Sequence, residues 1–157
     1  MNIINEIKET LALQNSQERV SKLEQISDVF EYGHGLNVED VMEGTKLLLA
    51  AALQEKDQSI KDQIFYALYT AVVHQDIGDR IDWSVLVDIL PSLDKSQLEE
   101  ALGILGLSGQ EKYLRVLDEY IHNADSEIRE WALDAIREIK YRLAHAPEGD
   151  TVWKRVS

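Results

Sequence analysis

The chain is expected to fold as an all-α protein, a short α–α superhelix of about four helical hairpins. Two observations lead there. An Ala-Leu pair at Ala67-Leu68 returns at Ala101-Leu102 and again at Ala132-Leu133, spacings of 34 and 31 residues. A recurrence in the thirties with two helical patterns inside each period is the signature of a helical solenoid. The second observation is punctuation. Two prolines and eight glycines, mostly at turns, leave long uninterrupted helical patterns and no sheet-forming segment.

Eight helices are predicted. The first spans about 3–13 and the second about 17–32, with Asn15-x-x-Glu18 as a capping box between them. Gly33-His34-Gly35 ends the second, supplying residues that tolerate positive φ just past a helix. The third, about 38–55, carries Val41, Leu48, Ala51 and Ala52 at helical spacing. Asp57 caps the fourth, about 58–74, whose Ile60, Ile64, Ala67, Leu68 and Ala71 form an apolar stripe. A polar loop over 75–81 leads through Asp82 to a short fifth helix ended by Pro91. Asp94-x-x-Gln97 is a capping box for the sixth, reaching about Leu107, and Ser108-x-x-Glu111 is another for the seventh, through Ile121. Asp125 opens the eighth, about 126–144, which Pro147 terminates. Residues 1–146 thus form a single helical repeat domain, with 1–37 a divergent N-terminal cap and 38–146 three repeats. Residues 147–157 read as a tail that Trp153 ties down.

Helices three and four, five and six, and seven and eight pair as hairpins. Their second helices superpose: Asp57-Gln-Ser-Ile60-Lys61 through Ala67-Leu68 parallels Asp125-Ser-Glu-Ile128-Arg129 through Ala135-Ile136, at an offset of 68 residues. These residues resemble the HEAT-like repeats of the phycobilisome-lyase type, in which an Asp–x–x–(Val/Ile)–Arg turn precedes an Ala-Leu/Ile-rich second helix. The resemblance covers about residues 38–144. It implies that Asp57 with Lys61, and Asp125 with Arg129, are structural residues that cap and tie adjacent turns. The middle copy departs from the pattern: Leu98 falls one position late and Glu99 stands where the base should be, which puts its inter-repeat tie in doubt.

Charge gives the second clue to function. The 157 residues carry a net charge of −13, which opposes binding to phosphate backbones. Residues 57–107 hold three cations against nine carboxylates, so the middle of the chain is nearly bare of positive charge. Such a field steers a basic partner. There are no cysteines, which removes disulfides, thiolate metal sites and cysteine nucleophiles together. The start, MNIINEIKETLALQ, lacks a basic region followed by a long apolar one, so no secretory leader is expected. The longest apolar run, Leu47–Leu53, is far short of the ~20 residues of a membrane span. A cytoplasmic protein without a membrane or nucleic-acid partner is expected.

Catalytic constellations are thin. Gly103-x-x-Gly106-x-x-Gly109 has the wrong spacing for a dinucleotide fingerprint and follows no strand. Gly106-Leu-Ser108-Gly109-Gln110 lacks the final glycine of a nucleophile elbow. His34, His74, His122 and His145 are scattered, with no pair that one helix could present to a metal. Asp76-x-x-Asp79-x-x-Asp82 lacks the alternating ligands, central glycine and bidentate glutamate of a calcium loop, and reads as a solvated turn ending in a helix cap. No enzyme, cofactor or metal is expected.

What remains is surface. In HEAT-like arrays the second helices line the concave face, and the resemblance places there the non-core positions of helices four, six and eight. These are Gln63, Tyr66 and Thr70 on the fourth, Glu99, Glu100 and Gly103 on the sixth, and Trp131, Asp134, Glu138 and Tyr141 on the eighth. Aromatics beside carboxylates make a protein-binding patch, because Trp and Tyr dominate hot spots and carboxylates meet Arg or Lys. The function expected is a protein-interaction module for a basic partner. More narrowly, small acidic HEAT-like proteins include bacterial immunity proteins, which would cover the basic cleft of a toxin. The alternatives are an assembly or regulatory scaffold and, further off, a phycobilisome-lyase-like protein.

Overall fold

The computed structural model describes residues 2–145, and within them the chain is helical with no strand. In order, the helices are α1 (Ile3–Ala12), α2 (Ser16–Tyr32), α3 (Val38–Gln54), α4 (Gln58–Gln75), α5 (Ser84–Ile89), α6 (Lys95–Leu107), α7 (Leu114–Tyr120) and α8 (Ser126–His145). Short 3-10 turns at Gly78–Arg80, Leu90–Ser92 and Glu111–Tyr113 stand at the approaches to these helices. The expected tail, the terminating Pro147 and Trp153 lie outside the described residues.

The ends of the helices follow their side chains. Asn2, Asn15, Asn37, Asp57 and Asp94 each accept a first-turn amide, satisfying donors that have no partner inside the helix. Asp94 and Gln97 form the reciprocal capping box foreseen for α6. Ser108 does not start a helix as expected. It ends α6, its hydroxyl donating to the Leu105 carbonyl at 2.6 Å and accepting the Gln110 amide at 3.2 Å, and α7 begins only at Leu114. At the end of α2 it is Gly35, at φ +69°, that takes the left-handed conformation. Gly33 is extended and is needed for another reason: a Cβ there would run into the Val29 carbonyl oxygen.

The even-numbered helices form one layer, with α2 packed on α4, α4 on α6 and α6 on α8. Polar ties join like ends of these neighbours, so the four run parallel. Gln75, at the end of α4, donates to the Phe30 and Gly33 carbonyls at the end of α2. Gln97, at the start of α6, donates to Gln58 at 3.0 Å and Asp62 at 2.8 Å at the start of α4. Lys95 reaches Asp125 at 3.1 Å and Glu127 at 2.8 Å at the start of α8. Helix α6 therefore supplies ties in both directions, through Gln97 and Lys95. Asp125 caps α8 through the Glu127 and Ile128 amides, while Arg129 donates to the Asn123 and Ala124 carbonyls of its own preceding turn.

Odd-numbered helices cover the other side, with α1 on α3, α3 on α4 and α7 on α8. The N-terminal pair packs in the same two layers, α1 on α3 and α2 on α4. In the middle of this layer α5 is short, as expected, with six residues. The loop before it, expected to be polar, turns inward instead. Ile77, Ile81 and Trp83 are all buried, and the Trp83 indole donates to the Gly78 carbonyl at 2.9 Å. Gln110 donates to the Gly78 and Ile81 carbonyls, and the Trp83 amide donates to the Tyr113 hydroxyl at 2.7 Å. Backbone polar groups buried with the loop are thus satisfied, as burial requires. One continuous core runs between the two layers, from Ile3 and Ile7 through Phe30, Phe65 and Trp83 to Ile139.

Candidate partner-binding face on the even helices

Parallel packing of α4, α6 and α8 decides which side chains the face presents. Where α6 meets α8 the approach is so close that a Cβ on Gly106 would lie 2.6 Å from the Ala135 Cα. One turn earlier, a Cβ on Gly103 would lie 2.8 Å from both the Trp131 and Tyr69 rings. The two rings come from α8 and α4, meet edge to face with centroids 5.9 Å apart, and lean over the glycine between them. Gly103 thus lets aromatics from both neighbouring helices lie down on α6. The groove of about 260 Å³ beside them is floored by Gly103 and Gly106 and edged by Asp134 and Glu138. A second, shallower hollow of about 460 Å³ follows along α8, lined by Asp134, Arg137, Glu138 and Tyr141.

The residues expected on this face divide into three groups. Gly103, Trp131, Asp134 and Glu138 come together around the groove, and Tyr141 extends it along α8. Tyr66 stands exposed on α4, while Gln63, Glu99 and Glu100 are half-buried. Thr70 drops out of the face: it is buried, and its hydroxyl donates to the Tyr66 carbonyl at 2.8 Å. The residue sequence reasoning missed is Tyr69. Its one-position offset from Thr70 rotates it by a third of a turn, toward α6 and Trp131. The glycine at 103, opposite two aromatics in neighbouring repeats, was the available signal.

Electrostatics single out Glu100. Burial, then the nearby carboxylates of Asp62, Glu99 and Asp94, push its carboxyl up to about 7. Among the described residues no cation offsets this repulsion. Burial also raises Glu99, although there Lys95 pulls the other way. Tyr69 is raised by burial and then by Glu100. On α8 the acids do have partners: Arg137 meets Asp134 and Arg142 meets Glu138, both at 3.2 Å. These pairs are solvent-exposed or half-exposed, where ion pairs contribute little.

A pH dependence of stability follows. Because the folded carboxyl of Glu100 lies above its ordinary value of 4.5, its contribution is most favourable below that value and is lost as pH rises through about 7. Glu100→Gln keeps the neutral shape. Part of the carboxyl still meets water, so the variant should exceed the wild type at pH 8 by about 1–2 kcal/mol. The gain should shrink as pH falls toward 5. Urea unfolding at the two pH values checks this, and an equal difference at both would contradict the placement of Glu100.

Elsewhere the chemistry is structural. Asp82 accepts the hydroxyl and amide of Ser84 and an ammonium hydrogen from Lys112, and the first of these, the Ser84 hydroxyl, does most to lower its carboxyl to about 2. Among the described residues no group of three or more His, Asp or Glu is placed to hold a metal ion, and no helix is long and apolar enough to cross a membrane. No protein-family model, curated protein or solved structure matches the chain.

Proposed function

We propose that the chain is a protein-interaction module, a short HEAT-like solenoid whose α4–α6–α8 face captures a basic protein. Its role in the cell, on this reading, is that of a cytoplasmic immunity protein, which neutralises a toxin by covering a basic substrate-binding cleft. The observation that carries the proposal is the carboxylate cluster around Glu100 beside the Tyr69–Trp131 pair. Half-buried carboxylates that repel one another cost folding energy, and a partner's cations would relieve that cost on binding. Aromatic surface next to such charge supplies the contact area that holds a complex together. The net charge of −13 supplies the long-range field. A scaffold reading is favoured by one feature only, the exposure of Tyr141 and Leu143 on the last described helix, where another chain could stack.

Kinetics test the proposal. With a partner recovered from the native cell, association should slow steeply as salt rises, since charges are screened over ~10 Å at 0.1 M. Reversing Glu99 and Glu100 to Lys should mainly slow association, and Trp131→Ala should mainly speed dissociation, because one alters a field and the other removes an anchor. Binding indifferent to salt and to all three positions would refute the acidic-face reading.

A further inference from the structure

The groove over Gly103 has a chemistry narrower than that of an acidic surface. Tyr69 and Trp131 offer it ring surface, and their edge-to-face contact at 5.9 Å holds them in place. Asp134 and Glu138 stand on its α8 rim. Glu100 lies one turn before Gly103, at the end of the groove away from Glu138 and close enough to Tyr69 to raise the phenol. Among the described residues Glu100 makes no ion pair, and the charges that act on it are all negative. The arginines that pair with Asp134 and Glu138 sit on the same helix, in i,i+3 and i,i+4 pairs that are weak and readily exchanged. The volume of about 260 Å³ is ample for one long side chain and too small for a helix or strand.

Resting on the reading of this face as the surface for a basic protein, we propose that the groove receives one arginine side chain of that partner. Its guanidinium would lie against the Trp131 and Tyr69 rings and exchange hydrogen bonds with Asp134 and Glu138, the two carboxylates that line the groove. The walls favour arginine over lysine. A guanidinium is planar, weakly hydrated and able to stack on an aromatic ring while its edge donates to carboxylates on either side. An ammonium is compact and strongly hydrated, and it would have to shed more water to reach the same acids.

The test titrates the full-length protein with three blocked pentapeptides that differ only at the central residue: Gly-Ser-Arg-Ser-Gly, its lysine counterpart and its citrulline counterpart. Citrulline keeps the shape of arginine without the charge. The readouts are the indole resonance of Trp131, the ring resonances of Tyr69, and nuclear Overhauser contacts from the peptide's arginine methylenes to both rings. The arginine peptide should shift both residues, with lysine several-fold weaker and citrulline at least tenfold weaker. Trp131→Leu should abolish the Tyr69 shifts. Because that change could loosen the α6–α8 contact, the double variant D134N/E138Q, which leaves the walls intact, should weaken the arginine peptide about tenfold. Equal binding of arginine and citrulline, equal binding of arginine and lysine, or shifts that avoid Trp131 and Tyr69 would each overturn the arginine slot. If the slot fails in this way while a whole partner still binds with salt-sensitive rates, the acidic-face reading stands alone. If the slot takes arginine but a partner ignores Glu99 and Glu100, it is the wider reading that fails.

Discussion

Trp83→Ala should lower the unfolding free energy by about 3–5 kcal/mol, the range for deleting a fully enclosed aromatic side chain. Trp83 is the largest side chain with no exposure to solvent, and it fills the space left in the odd layer by the six-residue α5. Its backbone amide would keep the Tyr113 hydroxyl, and the Gly78 carbonyl would keep Gln110, so the loss is a cavity and not a buried unpaired group. Gln110 pins the loop beside Trp83 at the Gly78 and Ile81 carbonyls, which limits its collapse into the gap. Urea unfolding should show a lower midpoint with an unchanged slope. Trp83→Phe, which leaves most of the volume filled, should cost clearly less. Equal costs for the two variants would mean that the indole hydrogen bond, not the volume, is what matters there.

Ala135→Leu should cost about 1–3 kcal/mol by overpacking the contact between α6 and α8. Ala135 is buried against Gly106, at a distance where even a methyl on the glycine would meet backbone. The three added carbons cannot be accommodated by rotating a side chain, so the helices must separate, and the Tyr69–Trp131 contact should open with them. The same substitution at Ala50, exposed on α3, should change stability by less than about 0.5 kcal/mol. Thermal or urea unfolding of both variants checks the prediction, and an equal effect at the two positions would contradict the close approach.

Most of the helices were legible in the sequence because their signals are local. Asp57, Asp94 and Asp125 cap the helices they were expected to cap, and the Ile60–Ala71 stripe is the buried side of α4. Ser108 misled because a Ser followed three residues later by Glu fits a helix start equally well when the serine belongs to the preceding helix end. The 75–81 loop misled for a different reason. Its aspartates dominate the local average, yet Ile77, Ile81 and Trp83 turn inward only because α5 is too short to fill its layer, and no local pattern reports that. The candidate face was legible by period and not by rotation. Trp131, Asp134 and Glu138 line one groove along α8, but Thr70 was taken where Tyr69 stands. A one-residue step on a helix carries a side chain through a third of a turn, from the groove into the core.

The proposed function requires the partner to meet the even layer. A photo-crosslinking phenylalanine derivative placed at Tyr66 or Tyr141, on the even layer, and at Lys46 or Arg115, on α3 and α7, asks that directly. All four positions are exposed, so the substitutions should leave the fold intact. With the native partner present, the two even-layer sites should crosslink, to peptides rich in arginine, and the two odd-layer sites should not. Crosslinks confined to Lys46 and Arg115 would contradict the account and move the binding surface to the opposite layer.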